Sequence, residues 1–294
     1  MSLLAIDELV KSYGEFSLGP LSLTVKAGSS VGLVGANGAG KTTLFRTLMG
    51  TLRRQQGTVR FNGQLMDASN PRLKQHIGHV GDFTPLFESW SGRKNLQTIS
   101  QFYPDWSEQL AFETARRLNL DLNSKAGSYS TGQRTKLAIV MALAHQPQLL
   151  LLDEPTTGLD PVARENFQEL LFEFLAHENR SIVYATHHIA EIEQLADRLV
   201  FISEGLVVRD EIKEDLSESW RRITFRSEQA LVDIPHVISQ RGEHPYHEVI
   251  SNNGAVTEKY LINQAVENIE VSRLSVEKIT VEILRTATRE FDHV

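Results

Sequence analysis

The sequence predicts an α/β protein, and three stretches carry that prediction. Val31, Leu33 and Val34 form a short apolar run that reads as a buried strand. Gly35 to Thr42 then matches G-x-x-x-x-G-K-[ST], and a helix-like run (Thr43, Leu44, Phe45, Leu48, Met49) stops at Gly50. Leu149 to Leu152 are consecutive leucines without alternation, which suits a central strand buried on both faces. Ser181 to Ala185 reads as a third strand, running into Thr186-His187-His188. A histidine at the carboxyl end of a strand in an open α/β sheet faces the ligand crevice; the alternative for His187 is a structural role.

The glycine-rich stretch defines a phosphate-binding P-loop. Gly35, Gly38 and Gly40 let the backbone turn its N–H groups inward. With the helix N-terminus behind them, those donors make an anion site. Lys41 would add positive charge at the β/γ-phosphates, and Thr42 would place a hydroxyl on Mg2+. The expected nucleotide-binding set here is Gly35, Asn37, Gly38, Ala39, Gly40, Lys41, Thr42 and Thr43.

Asp153 and Glu154 follow the four leucines. Two adjacent carboxylates there are costly to bury without a cation, and in a P-loop protein that cation is Mg2+. Asp153 is then the metal-linked aspartate and Glu154 the base for the attacking water; the alternative is a solvated acidic turn.

The chain has 294 residues, enough for one large or two modest domains. No run approaches the ~18–20 apolar residues of a membrane span, and the N-terminus lacks the pattern of a signal peptide. The sequence contains no cysteine. That excludes disulfide scaffolds and thiolate metal sites and fits a reducing cytoplasm. The formal charge of -7 argues against nucleic acid as the main partner, and none is expected.

In chain order, Leu3–Val10 and Leu18–Val25 alternate like strands around Gly14, an antiparallel start ahead of the P-loop. Tyr13 beside Gly14 reads, on its own, as a half-buried turn tyrosine. Thr58–Asn62 is a further strand with Asn62-Gly63 as its turn. From Phe83 to His145 the pattern becomes helical, with Ser91 and Ser107 as N-caps and many aromatics. Ala163–His177 and Ile189–Leu195 read as helices, and Leu199–Ile202 with Leu206–Val208 as a strand pair. Beyond about residue 220 the pattern changes to short strand candidates: Ile223–Phe225, His247–Ser251 and Ala255–Leu261, with Asn252-Asn253-Gly254 as a hairpin turn. Ser275 caps a final helix running to about Ala287.

Tyr129-Ser130-Thr131-Gly132-Gln133 resembles the L-S-G-G-Q signature of ATP-binding cassette (ABC) proteins. The order Tyr13, P-loop, helical insertion, signature, Asp153-Glu154 as Walker B, Gly158-Leu159-Asp160, then Thr186-His187 resembles a complete ABC nucleotide-binding domain. The resemblance implies an α/β P-loop NTPase core over residues 1–215, with an antiparallel β subdomain and a helical subdomain at about 83–145. A small α+β accessory domain would follow at 220–294. It also implies an ATPase that uses ATP and Mg2+ and works as a head-to-tail homodimer or heterodimer. In that arrangement Tyr13 stacks on adenine. Ser130, Gly132 and Gln133 reach the γ-phosphate of ATP on the partner's P-loop, Asp160 lies in the loop linking the two sites, and His187 contacts the γ-phosphate. Donors from several sides suit a charge-rich transition state.

Two positions depart from the family pattern. Asp82 stands where the Q-loop glutamine is expected; a carboxylate there can accept from water or approach Mg2+, so Thr42, Asp153 and Asp82 form the candidate metal set. Thr131 replaces the first signature glycine, and Tyr129 keeps the packing role of leucine. A finer resemblance, to ATPase subunits of bacterial ABC-2-type exporters, rests on Asp82, Phe102–Trp106 and Leu274–Ile279. It implies integral membrane permease partners and a cytoplasmic location, peripheral on the inner membrane. The groove for the permease is expected around Asp82 to Trp90, with Phe87 and Trp90 as partner contacts and Phe83 either there or in the core. Competing readings are a soluble ABC ATPase acting on ribosomes or nucleic acid, and a P-loop kinase. The first usually brings tandem cassettes, whereas this sequence has one P-loop and is acidic, or a long coiled coil or zinc modules, for which the stretch between Lys41 and Asp153 has neither room nor cysteine. The signature argues against the second.

Overall fold

The computed structural model describes residues 2–81, 85–229, 231, 233–264 and 266–291. Asp82 and Phe83 lie outside the described residues.

The chain begins with β1 (Ser2–Tyr13) and β2 (Phe16–Lys26), an antiparallel pair turning at Gly14. β3 (Ser30–Val34) leads through the P-loop into α1 (Lys41–Met49), which ends on Gly50 in the left-handed region. β4 (Gln56–Phe61) and β5 (Gln64–Leu65) complete a four-stranded antiparallel sheet in the order β2-β1-β4-β5. After β6 (Ile77–Val80) come α2 (Gly92–Ile99), α3 (Glu108–Arg117) and α4 (Thr131–Ala144). Ser91 and Ser107 do cap α2 and α3: their hydroxyls accept from the N–H groups of Lys94 and Leu110.

β7 (Leu149–Asp153), α5 (Pro161–Leu175), β8 (Ser181–Ala185), α6 (Ile189–Leu195), β9 (Arg198–Ser203) and β10 (Leu206–Ile212) follow. They join β3 and β6 in a six-stranded sheet ordered β10-β9-β3-β8-β7-β6, parallel except at the β9–β10 hairpin. Successive strand residues point to opposite faces, so the four leucines of β7 divide two and two. Leu149 and Leu151 join Val31, Leu33, Val183 and Phe45 in a core under the antiparallel sheet. Leu150 and Leu152 join Leu137, Phe167, Tyr184 and Ile192 in a core under α4, α5 and α6. Burial on both faces explains the absence of alternation.

The remaining chain contains α7 (Lys213–Ser219), β11 (Arg221–Arg226), β12 (Val237–Arg241), β13 (Tyr246–Ser251), α8 (Gly254–Asn263), β14 (Glu267–Arg273) and α9 (Val276–Phe291). Its antiparallel sheet has the order β12-β13-β11-β14. Ser275 caps α9, its hydroxyl accepting from Lys278 N–H. One expectation fails here. Residues 255–261 are helical, not a strand, and Asn252-Asn253-Gly254 is not a hairpin turn. Asn253 is instead the N-cap of α8, its side chain accepting from Val256 N–H. Gly254, Thr257 and Leu261 are the buried positions, the spacing of one helix face. Leu261 packs with Ile223, Phe225 and Val249 in a small third core. α9 returns to the first part of the chain: Val276, Ile279 and Ile283 share the apolar cluster of Ile192, Leu195, Leu199 and Phe201.

Candidate active site

The P-loop is held from below by packing that its own sequence does not announce. Gly205, in the β9–β10 turn, donates its N–H to the carbonyl of Ala39 at 3.0 Å. Gly38 has φ of 84° and nothing within 4 Å of where a side chain would start, so the loop crest is open to a ligand. Asn37 and Gly38 are exposed, whereas Gly35, Ala39, Gly40 and Thr43 are buried and Thr42 is half-buried.

The Lys41 ammonium is buried and donates to the carbonyls of Gly35 (2.6 Å) and Ala36 (3.1 Å). Burial pushes its pKa below the ordinary lysine value, while the negative charges of Glu154 and Asp153 oppose that shift. The lysine and both carboxylates therefore share one electrostatic site. Their strands β3 and β7 flank β8, which brings all three strand ends to one edge.

Glu154 is held at that edge by its backbone and its side chain alike. Its φ is 48°, rare for a residue with a side chain, and such a conformation stores about 1–3 kcal/mol. Its N–H donates to the Ala185 carbonyl (2.8 Å), and its own carbonyl accepts from Thr157 N–H (3.1 Å). The carboxylate accepts from Thr186 Oγ1 (2.9 Å) and from the His187 backbone N–H (3.0 Å). Nδ1 of His187 lies 2.9 Å from the same carboxylate, so an imidazole protonated there adds a further donor. Asp153, one residue earlier, is buried at the end of β7.

Tyr13 lies beside the first turn of α1: its hydroxyl is 3.0 Å from Thr43 Oγ1, the residue is 51% exposed, and its ring is tilted against Phe16.

The signature residues form a separate assembly. Ser130 and Gln133 make a reciprocal capping box at the start of α4: Ser130 Oγ accepts from Gln133 N–H, and Gln133 Oε1 accepts from Ser130 N–H. Tyr129 is buried, its hydroxyl donating to the Asp121 carbonyl at 2.5 Å. At Gly132 a Cβ would fall 2.1 Å from the carbonyl oxygen of Gly158, so only glycine permits this approach. Thr135 Oγ1 donates to the Thr157 carbonyl (3.2 Å), and Lys136 pairs with Asp160 (3.0 Å). Asp160 also caps α5 by accepting from Ala163 N–H, and that bond together with Lys136 holds its carboxyl below the usual pKa. Three links thus fasten the signature helix to the loop that follows Glu154. A cavity of about 180 Å³ lies between them, lined by Thr131, Arg134, Thr135, Asp153 and Glu154.

Sequence reasoning named groups expected to face nucleotide and did not name those that hold them in the structure: Gly205, Lys136, Thr186 as a partner of Glu154, and Glu191, whose carboxylate accepts from the Thr156 hydroxyl. Their contacts span long sequence separations and leave no local pattern.

A P-loop followed by a strand-end carboxylate pair and a signature-type helix cap defines an ABC-type ATPase cassette. The family described as ABC transporter matches residues 18–157. The chain is 32% identical over 235 residues to the ABC transporter ATP-binding protein YdbJ of Bacillus subtilis (strain 168), covering 79% of this chain and 74% of that one. It is 34% identical over 232 residues to the Nod factor export ATP-binding protein I of Burkholderia orbicola (strain AU 1054), covering 74% of each. A solved ATP-binding subunit of an ABC transporter superposes with a TM-score of 0.66 at 26% identity, over 74% of this chain and 92% of that one. The chain belongs to the family of ABC transporter ATP-binding proteins, and it is an ATPase. Among the described residues no helix is long and apolar enough to cross a membrane.

Proposed function

We propose that this subunit hydrolyses ATP to drive a separate membrane permease, and that the transporter exports its substrate. The observation that carries the catalytic part is the clamping of Glu154 by Thr186 and His187 beside the buried Lys41. On this reading the P-loop N–H groups from Gly35 to Thr43 hold the phosphates, and Lys41 turns from its own loop carbonyls to the β/γ-phosphates. Tyr13 offers an exposed ring to adenine. Glu154 orients and deprotonates the attacking water, and His187 steadies the γ-phosphate.

Thr42 supplies a hydroxyl and Asp153 a carboxylate, a sparse set that fits Mg2+, which binds mainly through substrate phosphates and water. Bound there, Mg2+ would neutralise charge developing on the phosphate oxygens. Asp82 remains part of this metal set as a proposal only, since it lies outside the described residues.

Two subunits, identical or related, pair head to tail. Ser130, Gly132 and Gln133 then serve the partner's ATP, and Asp160 connects the two sites. The links from α4 to the loop after Glu154 support this, because they would pass closure at one site to the other. Phe87 is 50% exposed and stacks on Trp90 at 4.3 Å, and the next residue, Glu88, pairs with Arg134 of α4. A permease seated on this aromatic pair would therefore touch an element tied to the signature. The export direction is supported by the likeness to a Nod factor export protein. The subunit would work in the cytoplasm, on the inner face of the membrane.

The test is Glu154→Gln. Turnover should fall about 10²–10⁴-fold while ATP binding survives, and ATP should trap a closed dimer. Wild-type turnover in the presence of the permease would remove Glu154 from its assigned role.

A further inference from the structure

Glu191 belongs to no motif, yet three separate segments converge on its carboxylate. It is carried on the first turn of α6, and its side chain is 16% exposed. The Thr156 hydroxyl donates to it, 3.0 Å from each oxygen. The Tyr184 hydroxyl donates to Oε2 at 2.7 Å. Arg164 of α5 lies 3.6 Å from Oε1. Thr156 and Tyr184 are both almost fully buried, so each hydroxyl needs a partner and this carboxylate supplies it. Burial and the charge of Glu191 together push the Tyr184 hydroxyl well above the usual tyrosine pKa, which keeps it a donor.

These bonds close a ring around the catalytic carboxylate. Glu154 is joined to Thr157 N–H through its carbonyl, and Thr156, within that turn, is joined to Glu191. Glu191 N–H donates to the His188 carbonyl, and the neighbouring His187 N–H donates back to Glu154. Tyr184 sits on β8 two residues before Thr186, which also bonds Glu154. Glu191 thus adds a tie between the loop after Glu154 and the strand end at Thr186, beside the bonds of Glu154 itself and a direct contact between the Thr156 and Tyr184 hydroxyls.

We infer that Glu191 is a positioning residue for ATP hydrolysis: its carboxylate clamps the loop after Glu154 to the segment that carries Thr186 and His187. A strained backbone at Glu154 persists only where its surroundings over-determine it, and Glu191 supplies part of that determination. The inference rests on the reading of Glu154 and His187 given above.

The experiment measures steady-state ATPase, equilibrium ATP binding and thermal melting on the full chain carrying Glu191→Ala, Glu191→Gln, Thr156→Val or Tyr184→Phe. Misplacing a catalytic group by about 1 Å lowers rates up to about 100-fold. Glu191→Ala should accordingly reduce kcat at least about tenfold while ATP Kd stays within about twofold. Glu191→Gln retains an acceptor oxygen for both hydroxyls and should recover most of the rate. Thr156→Val should lower kcat alone and add little on top of Glu191→Ala, since both break one contact. A kcat in Glu191→Ala within about twofold of wild type would overturn the inference, as would a kcat loss that merely follows weakened ATP binding. If Glu191→Ala does not fold, wild-type kcat in both Thr156→Val and Tyr184→Phe, with unchanged melts, overturns it instead. Glu154→Gln separates the two layers. Wild-type turnover there removes the underlying reading; lost turnover there with normal kcat in Glu191→Ala removes the clamp alone.

Discussion

Every residue of β3, β7 and β8 is buried, whereas in β14 all residues but Ile269 are exposed. The first three strands form the middle of the parallel sheet, packed on both faces; β14 is the edge of the C-terminal sheet. A one-residue slip in a strand buried on both faces would misplace two layers of side chains at once, so register there is firmly set. That is the support needed by loops that must hold Lys41, Asp153 and Glu154 in one place. In β14, by contrast, Glu267, Glu270 and Arg273 lie along an open edge, where charged side chains discourage pairing with another chain. The small core of Ile223, Phe225, Val249 and Leu261 covers one face of that sheet. Burial on two sides accompanies the chemistry, and the outlying sheet carries none of the groups assigned to it.

The contrast can be broken most forcefully by cavities. Ile279→Ala and Leu261→Ala each remove a buried aliphatic side chain, and each should cost about 2–5 kcal/mol. Their consequences should differ by location. Ile279→Ala should lower hydrogen-exchange protection in β9 and α6, because Ile279 packs with Leu199, Phe201 and Ile192. Leu261→Ala should loosen β11 to β14 and leave ATP turnover as in wild type. Equal loss of turnover in both would show that the two sheets act as one unit.

A smaller effect is expected at the P-loop. On the proposed reading, Lys41→Ala removes a charged donor from the phosphate site, and such bonds contribute about 1.5–3 kcal/mol. ATP affinity should fall roughly 10- to 150-fold with β3 and β7 intact, read by equilibrium titration beside a melt. Normal ATP binding would remove Lys41 from the phosphate site. The smallest change concerns the helical region. Phe87 is half exposed, so burying the rest of its ring against a permease would add about 1 kcal/mol. If the proposed permease docks there, Phe87→Glu should weaken co-purification with it severalfold and leave ATP affinity unchanged. Full assembly and transport in that variant would refute the groove, and a collapsed melt would assign Phe87 to the core.

How much of this was legible in sequence depended on whether a residue's job was local. The strand and helix on either side of the glycine loop, the caps at Ser91 and Ser107 and the leucines of β7 each carry their signal within a few residues, and the structure has all of these elements. In α8 the signal misled. Val256, Thr257 and Tyr260 favour strands, and Asn-Gly suggests a turn. Tertiary packing of Leu261 and the side-chain cap from Asn253 outweigh both. β14 has almost no buried face, so no alternation was there to read. Glu191 was illegible for a different reason: its contact with Thr156 spans 35 residues. The one available hint was Tyr184, a tyrosine in a strand otherwise fully apolar after Ser181, whose hydroxyl must find a partner.

The return of α9 onto α6 and β9 has a consequence for how the protein is made. A ribosome adds about 5–20 residues per second, so Val276 is added roughly 4–15 seconds after Ser203 has completed β9. Throughout that interval Ile192, Leu195, Leu199 and Phe201 lack the side chains of Ile279 and Ile283 that later share their cluster. The nascent cassette already holds its P-loop, signature and carboxylates, yet presents an apolar strip beside the helix that carries Glu191. A chain broken off before Val276 keeps every motif and loses its cover, which marks it for chaperones and proteases rather than for ATP hydrolysis.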